Sequence, residues 1–332
     1  MNDFIDITKK KDGQIIYDTG LKILKQNGAA LLIMAGGVGS RLGHKGPKGT
    51  FTFPNTGKSL FEYLFSYVKK KNQDSHSSLP IIIMTSQEND QETRDFLESS
   101  HFFGLDKNSL FFIIQKSLPY LNDENNEFID NQQKPLLGPS GNGQALNLLC
   151  ESGLLSILRV RGVQFIISCP IDNPLADPLN PYFLGYQKIH EKEIVAQCIE
   201  KGDPLENVGV FVRKKGKLKV IEYTELSQEE KIALDVHGQL VYRFANISIF
   251  SFSMDFVEKS FPFSLPLHMN KKEVFLNDKK ILAWKQEYHI FDLLEHADHT
   301  DLFLVSREEV FCPLKTKEDI DKIEKKLAYH KN

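Results

Sequence analysis

The sequence predicts an α/β fold in which a mainly parallel, mixed sheet is flanked by helices. Apolar, strand-like runs recur along the 332 residues, and segments with helical periodicity lie between them. This alternation is typical of parallel strands joined by covering helices. A hydrophobic content of 41% is enough for a large core, in one decorated domain or in two domains.

Eight segments have the apolar character of strands, and helices are predicted between several of them. The strands are predicted at 30–34, 80–85, 110–114, 163–168, 207–212, 218–223, 247–252 and 302–305. The helices are predicted at 59–70, 90–99, 144–157, 181–191 and 287–297. Ser59 and Glu62 mark the first helix, because they are spaced as a capping box.

Two further segments complete the order of elements. Residues 122–134 are rich in Asn, Asp, Glu and Gln, which favours a surface loop between core elements. The last segment begins at Thr316, and Asp319 three residues later approximates a capping box. Three apolar side chains fall on one face of this segment: Ile320, Ile323 and Leu327. We therefore expect a packing helix within 316–332.

The first predicted strand leads directly into a glycine-rich loop. Four glycines allow sharp turns and a close approach of backbone N–H groups to a ligand: Gly36, Gly37, Gly39 and Gly43. Successive N–H groups can form a nest for an anion, and Arg41 and Lys48 would add full positive charges. The loop therefore predicts a site for the phosphate tail of a nucleotide. The competing interpretation is an ordinary turn with two solvated basic side chains.

Two familiar phosphate-binding loops do not fit this spacing. A Walker A loop has Gly-Lys before Ser or Thr, whereas this chain has Lys48-Gly49-Thr50. In a dinucleotide fingerprint, Leu42 would stand at the third glycine, and the acidic Glu62 falls inside a predicted helix. A nucleotide-binding dehydrogenase is therefore disfavoured.

Other polar residues follow predicted strands, where open α/β sheets bind their ligands. Gly141-Asn142-Gly143 precedes the predicted helix 144–157, so its N–H groups could meet a polar ligand group or simply form a turn. Asp172 follows the strand 163–168 and could hold Mg²⁺ together with substrate phosphates. An Asp-Asn-Pro turn is the alternative, since Pro174 follows closely.

Composition and charge argue against several classes of protein. The net charge of −3, without a long basic run, argues against a nucleic-acid-binding surface. No apolar run approaches the roughly 20 residues needed to span a bilayer, and MNDFIDITKK lacks the apolar region of a signal peptide. The four cysteines form no CxxC pair, which favours reduced thiols over a zinc site or disulfides. We therefore expect a cytoplasmic protein.

The motif Met34-Ala-Gly-Gly-Val-Gly-Ser-Arg-Leu-Gly43, followed by Pro47-Lys48-Gly49, resembles the nucleotide loop of the UDP-sugar pyrophosphorylases. Within that family it is most similar to the branch that uses N-acetylhexosamine 1-phosphates. Further segments match the family in the same order: 83–86, Gln115 with 118–119, 141–143, 172–173, 208–210, 221–223, 246–247, 285–292 and 307–315.

The resemblance implies a Rossmann-like sheet of the nucleotide-diphospho-sugar transferase type, similar to the GT-A fold. It also implies a catalytic domain over residues 1–315 and a C-terminal helix over 316–332. Within the catalytic domain, the nucleotide-binding part would cover about 28–175 and the sugar-binding part about 176–315.

Roles for individual residues follow from the same resemblance. The residues that would bind the nucleotide are Ala35, Gly36, Gly37, Gly39, Gln115 and Gly141. Gln115 and Gly141 would contact the uracil. The residues that would bind the sugar are Asn142, Gly209, Glu222 and Asn246, with Asn246 facing an N-acetyl group. The groups that would neutralise phosphate charge are Arg41, Lys48, Lys285 and a Mg²⁺ ion held by Asp172.

The implied reaction is uridylyl transfer, in which N-acetylglucosamine 1-phosphate attacks the α-phosphorus of UTP to give UDP-N-acetylglucosamine and pyrophosphate. No protein nucleophile is required, because the attacking phosphate is already anionic. A UTP–glucose-1-phosphate uridylyltransferase or a broad UDP-sugar pyrophosphorylase is the alternative, since Phe244-Ala-Asn-Ile-Ser248 departs from the family's Gly-Asn-Ile-Ala. Both C-4 epimers of the sugar stay open. A homologue that binds UDP-sugar without turnover is a further alternative, against which the intact charged residues argue.

Overall fold

The computed structural model describes residues 13–329, and a mixed sheet of nine strands forms its centre. The helices are α1 (Gly13–Lys25), α2 (Leu60–Ser75), α3 (Asp90–Ser99), α4 (Ala145–Glu151), α5 (Leu154–Val160), α6 (Pro181–Ile189), α7 (Gln228–Ile232), α8 (Met254–Ser260), α9 (Arg307–Val310) and α10 (Asp319–Tyr329). The strands are β1 (Ala29–Met34), β2 (Ile81–Ser86), β3 (Leu110–Gln115), β4 (Ser117–Pro119), β5 (Leu137–Pro139), β6 (Phe165–Pro170), β7 (Ile194–Glu200), β8 (Val210–Lys214), β9 (Lys217–Ile221), β10 (Phe244–Ser253), β11 (His268–Leu276), β12 (Lys279–Glu287) and β13 (Thr300–Leu304). The N-terminal segment considered above for a signal peptide and the end of the predicted segment 316–332 lie outside the described residues.

The large sheet has the order β13-β7-β10-β6-β1-β2-β3, and β8 and β9 extend it beside β10. β1 pairs in parallel with β2 and β6, and β2 pairs in parallel with β3. β10 is antiparallel to both β6 and β7. Every residue of β1 and β2 is buried, and alternate side chains of β1 belong to two separate apolar clusters. The predicted α/β class with a mainly parallel, mixed sheet is confirmed.

The eight predicted strands all occur, with small shifts at their ends. The sequence pattern does not predict β4, β5, β7, β11 or β12, and in β7 Gln197 interrupts the apolar run. Gln197 is tolerated in the core since its Nε2 donates to the backbone oxygen of Asp177 at 2.9 Å. The predicted helix 144–157 is divided into α4 and α5, because Gly153 between them has φ +76°.

The predicted helix 287–297 is wrong. Glu287 ends strand β12, and Ile290–His296 is a short 3-10 helix. Residues 290–294 are buried throughout, including Asp292, so the segment has no exposed polar face and its pattern does not reveal the type of element. Lys285 therefore lies on a strand and does not precede a helix.

β11 and β12 form a two-stranded hairpin apart from the large sheet. Asn277 and Asp278 make its turn, and both have positive φ, as a two-residue type I′ turn requires. The polar segment 122–134 follows Leu121, which forms a bridge with Trp284 of β12. That segment is a surface excursion, as predicted, and it also packs against the hairpin.

The predicted C-terminal packing helix is confirmed by α10. Ile323 and Leu327 are buried, and Asp319 accepts hydrogen bonds from the Thr316 backbone and hydroxyl at the start of the helix. Glu324 also accepts a hydrogen bond at 2.7 Å from the backbone N–H of Asn55, which fixes α10 to the chain that follows the glycine loop. Among the helices within residues 13–329, none is both long and apolar enough to cross a membrane.

Candidate active site

The glycine loop, Gln115 and Asp172 lie at one edge of the sheet. They follow or end β1, β3 and β6, whose parallel course brings their carboxyl ends to the same edge. Gln115 is buried, and its side chain lies directly against Gly36. A Cβ atom at Gly36 would be 1.8 Å from the Gln115 amide nitrogen, so any larger residue would displace the Gln115 side chain.

Buried hydrogen bonds hold the glycine loop closed. Asn89, buried before α3, donates from its Nδ2 to the backbone oxygens of Ala35 at 2.9 Å and Gly37 at 3.2 Å. The Lys48 N–H donates in turn to the Gly37 oxygen at 3.0 Å. The loop is therefore preorganised by the protein itself. The sequence pattern gives no sign of Asn89, which acts through backbone atoms far from it in sequence.

The two cations of the loop have different surroundings. Lys48 Nζ lies 3.2 Å from Asp172 Oδ2, and both side chains are largely buried. Arg41 is exposed and has no hydrogen-bond or ion-pair partner among residues 13–329. The predicted metal-binding carboxylate thus faces a predicted phosphate-binding lysine. No group of three or more His, Cys, Asp or Glu side chains in the described part of the chain is arranged to hold a metal.

The Gly141-Asn142-Gly143 motif wraps around the end of β12. Gly141 has φ +83°, and a Cβ there would lie 2.4 Å from the Tyr288 backbone oxygen. The Gly143 N–H donates to that same oxygen at 2.9 Å. This differs from the expectation that the motif offers its N–H groups to a ligand, because Gly143 already has a protein partner.

The four predicted sugar-binding residues line one cleft. Asn142, Gly209, Glu222 and Asn246 surround a cavity of ≈ 250 Å³, together with His289 and Lys315. A bulge in β10 shapes its floor: Asn246 Oδ1 accepts from the Ser248 N–H at 2.8 Å, and Ser248 has φ +60°. These residues come from β10, the loop before β8 and the loops after β5 and β9, so only the folded sheet brings them together.

Glu222 follows β9 and faces Gly209 across the cleft. A Cβ at Gly209 would lie 2.9 Å from Glu222 Oε1, so glycine leaves room for the carboxylate. Burial raises the pKa of the Glu222 carboxyl, and the like charge of Glu225 adds to this, while His268 and Lys315 oppose it. A partly desolvated carboxylate of this kind is a strong acceptor for hydroxyl donors.

Lys285 belongs to a cluster of charges on the hairpin. Its Nζ donates to Glu287 Oε1 at 2.6 Å, and Lys272 Nζ lies 3.5 Å from Glu287 Oε2. Burial alone would raise the pKa of Glu287, but the Lys285 and Lys272 charges outweigh it and hold that pKa below its ordinary value. Glu287 is therefore an anion that holds both lysines.

Two histidines join the cleft to this charged cluster. His268 Nε2 is hydrogen bonded to Asp292 Oδ2 at 2.8 Å, and the His289 ring stacks on Phe291 with centroids 4.8 Å apart. Burial, with the positive field of His268 and the two lysines, lowers the pKa of His289 to about 4. His289 is thus neutral near pH 7.

Sequence reasoning missed four groups of this site: His268, Lys272, His289 and Lys315. Three of them belong to the hairpin or the turn that leaves it. The signal that could have found this hairpin is Asn277-Asp278, a dipeptide suited to a type I′ turn between two strands. Lys315 lies within a stretch that matched the family, but no role followed from its residue type.

The sheet, the glycine loop at its carboxyl edge and the cation cluster are those of an α/β nucleotidyltransferase. Residues 9–332 match the family model described as UTP–glucose-1-phosphate uridylyltransferase. The chain therefore belongs to the UTP–glucose-1-phosphate uridylyltransferase family. The resemblance to UDP-sugar pyrophosphorylases is thereby confirmed.

Individual relatives agree with this family. A Schizosaccharomyces pombe protein named "Probable UDP-N-acetylglucosamine pyrophosphorylase" is 33% identical over 326 residues, which cover 90% of this chain and 68% of that one. The crystal structure of a candidate UDP-N-acetylglucosamine pyrophosphorylase from Entamoeba histolytica has a TM-score of 0.88 at 28% identity, over 99% of this chain and 87% of that chain. The uridine diphosphate N-acetylglucosamine pyrophosphorylase of Trypanosoma brucei, solved with an inhibitor, has a TM-score of 0.84 at 28% identity, over 93% and 67%. This chain thus spans about two thirds of the length of the Schizosaccharomyces pombe protein.

Proposed function

We propose that this chain transfers a uridylyl group from UTP to N-acetylglucosamine 1-phosphate. A phosphate oxygen of the sugar phosphate bonds to the α-phosphorus, the bond to the bridging oxygen breaks, and pyrophosphate leaves with that electron pair. The products are UDP-N-acetylglucosamine and pyrophosphate. The observation that carries the proposal is the grouping of Asn142, Gly209, Glu222 and Asn246 in one cleft, beside the Lys285 cluster.

The nucleotide end of the site requires only placement and charge. In this proposal Gln115 and Gly141 contact the uracil, and the glycine loop holds the phosphate tail. Arg41 has no partner of its own in the described residues, so its guanidinium is free to bind phosphate oxygens. Positioning of two anionic substrates by such preorganised groups can account for much of the rate enhancement.

The sugar end supplies recognition. Glu222 accepts hydrogen bonds from sugar hydroxyls, and Asn246 presents its amide to an acetamido group. In this proposal Lys285, and the exposed Lys315 that lines the cleft, bind substrate phosphates. A site that hydrogen bonds an amide disfavours a sugar without one, because its own polar groups are then left unpaired.

A magnesium ion fits beside Asp172. Among residues 13–329, Lys48 is the only side chain bonded to that carboxylate, through one of its oxygens, and one carboxylate with substrate phosphates and water is a common magnesium environment. When bound, Mg²⁺ supplies positive charge to the reacting phosphate oxygens. Lys48, which contacts Asp172 at 3.2 Å, would bind a phosphate oxygen beside that ion.

A reducing, cytoplasmic setting is part of the proposal. All four cysteines lie within residues 13–329 and are free thiols, three of them buried. Disulfides form and persist in oxidising compartments, so unpaired cysteines favour a reducing one.

The test is the kcat/KM value with UTP for four sugar 1-phosphates: N-acetylglucosamine, N-acetylgalactosamine, glucose and galactose. We expect a higher kcat/KM for N-acetylglucosamine 1-phosphate than for glucose 1-phosphate. Asn246→Ala should reduce this preference by about 1–3 kcal/mol in transition-state free energy, the cost of an unpaired polar group. Asn131→Ala, at an exposed position outside the cleft, is the matched control. If glucose 1-phosphate is preferred, the chain is a UTP–glucose-1-phosphate uridylyltransferase. If UDP-sugar binds but no pyrophosphate is released, the catalytic proposal is wrong.

A further inference from the structure

We propose that Lys272 is a further phosphate-binding residue, which acts with Arg41 and Lys285 on the pyrophosphate end of the nucleotide. The proposal rests on the function proposed above, but it concerns a residue that no motif in the sequence singles out.

The pairing of β11 with β12 places Lys272 and Lys285 on the same face of the hairpin. Asn270 lies opposite Lys285, and Lys272 is two residues beyond Asn270 on the same strand. Residues two apart on a strand share a face, and diagonal neighbours across the strands are within reach of long side chains. Both lysines therefore contact Glu287, at 2.6 Å from Lys285 and 3.5 Å from Lys272.

Lys271 points the opposite way. Its Nζ lies 2.7 Å from Asp123 Oδ1 and 4.9 Å from the centre of the Trp284 ring. Consecutive residues of a strand face opposite sides, so Lys271 has the same charge and the same strand as Lys272 without access to the cluster. The chain thus contains its own control position.

The cluster carries more positive than negative charge. Lys285 and Glu287 neutralise each other, with side chains only 12% and 17% exposed, while Lys272 has the longer contact and is 37% exposed. Burial lowers the pKa of Lys272, and the charges of Lys285 and Arg41 lower it further, while Glu287 opposes this. Of the other titratable neighbours of Glu287, His289 is neutral near pH 7, and burial raises the pKa of Tyr120, so that side chain is neutral as well. Two lysines share one carboxylate, and this excess of positive charge leaves a site that favours an added anion.

The anion is assigned from contacts that join the glycine loop to the hairpin. Gln115 lies against Gly36 of the loop, and the backbone oxygen of the next residue, Lys116, accepts a hydrogen bond from the Ser140 N–H at 2.9 Å. The Ser140 oxygen accepts in turn from the Tyr288 N–H at 2.8 Å, directly after Glu287, so the charged end of the hairpin lies at the loop's edge of the sheet. The charge of Arg41 also lowers the pKa of Lys272, which agrees with this arrangement. The glycine loop is the predicted site of the nucleotide phosphate tail. The anion that both elements can share is therefore the tail of UTP, or the pyrophosphate that leaves.

The decisive experiment compares Lys272→Met with Lys271→Met in both directions of the reaction. We expect Lys272→Met to raise the KM for UTP and for pyrophosphate about tenfold or more, as loss of a charge-assisted hydrogen bond implies. The KM values for the sugar 1-phosphate and the UDP-sugar should change less than about twofold, and Lys271→Met should leave all four near the native values. Equal changes in all four KM values, or equal effects of the two variants, would overturn the proposal.

A second pair of variants excludes a merely structural role. Lys272→Arg keeps the charge, so it should restore the KM for pyrophosphate. It should also move the alkaline rise of that KM to higher pH, because guanidinium stays protonated where the native lysine has lost its proton. Lys271→Arg should leave the alkaline rise unchanged. An unshifted alkaline rise in Lys272→Arg would contradict phosphate binding, even if the methionine variant fails to fold.

Calorimetry separates this inference from the proposed reaction. Magnesium pyrophosphate is titrated into the native protein and into the two methionine variants without a sugar substrate. Weaker binding by Lys272→Met alone supports the inference even if no sugar 1-phosphate is turned over. Identical binding by all three proteins overturns the inference even if the native chain is an active uridylyltransferase.

Discussion

The glycine loop and the β11–β12 hairpin both bring positive charge to the site, but they are built differently. The loop is fixed by buried hydrogen bonds from Asn89 and by its own backbone. The hairpin has a single buried side chain, Ala283, and its charges are placed by pairing between strands and by Glu287. The cations of the loop are therefore recognisable from the glycines beside them in the sequence, whereas those of the hairpin are recognisable only from the paired strands.

The strongest test of this comparison is Lys48→Ala in the loop. Loss of one preorganised phosphate contact should raise the activation free energy by roughly 3 kcal/mol, which lowers kcat about 100-fold. Arg41→Ala should have an effect of similar size. Melting curves should change little, because Arg41 has no partner within residues 13–329 and Lys48 has only Asp172. Lys45→Ala, exposed in the same loop, is the control. Near-native rates in the Lys48 and Arg41 variants would show that the loop does not bind the phosphates.

A somewhat smaller effect is expected from Asp172→Asn. We expect activity to require added Mg²⁺, and the variant to need about tenfold more Mg²⁺ for half-maximal rate, because a neutral amide is a weaker ligand than a carboxylate. Asp321→Asn, exposed on α10, serves as the control. An unchanged Mg²⁺ requirement would remove Asp172 from the metal site and leave charge neutralisation to the lysines.

The smallest effect concerns the stability of the hairpin side in acid. The pKa of His289 is lowered to about 4 in the folded chain, so the folded state favours the neutral ring. That contribution is fully present above the unfolded pKa of about 6.5 and is lost as pH falls towards 4. His289→Phe keeps an aromatic ring on Phe291, so its melting temperature should fall less than that of the native protein over this range.

The control for that measurement is His237→Phe, because His237 is exposed. Its melting temperature should fall with pH as the native one does. If the melting temperatures of all three proteins fall equally with pH, burial does not hold His289 neutral. The hairpin side then loses no more stability in acid than the loop side.

The fold could be predicted further than the site. Apolar runs located all eight expected strands, and the closely spaced glycines after β1 located the loop. Each of these signals lies within a few consecutive residues. The same reasoning failed at 287–297, because residues 290–294 are all buried and their pattern does not reveal the type of element. Residues far apart in sequence, such as Asn89 and Lys272, act through folded contacts that no local pattern contains.

The predicted sugar-binding residues are intermediate between the strands, which local patterns reveal, and residues such as Asn89, which no local pattern reveals. Their positions came from the family resemblance, and the structure places all four around one cleft. Their roles stay predictions. What no sequence pattern contained was the bulge at Ser248, which shapes the strand that carries Asn246.

The chain contains one tryptophan, and its position has a spectroscopic consequence. Trp284 precedes Lys285 on β12, its indole N–H donates to Asp123 at 2.9 Å, and Lys271 lies over its ring. Its fluorescence therefore arises from the hairpin alone. Binding of a phosphate ligand beside Lys285 could be followed by this intrinsic emission, without a label and without turnover.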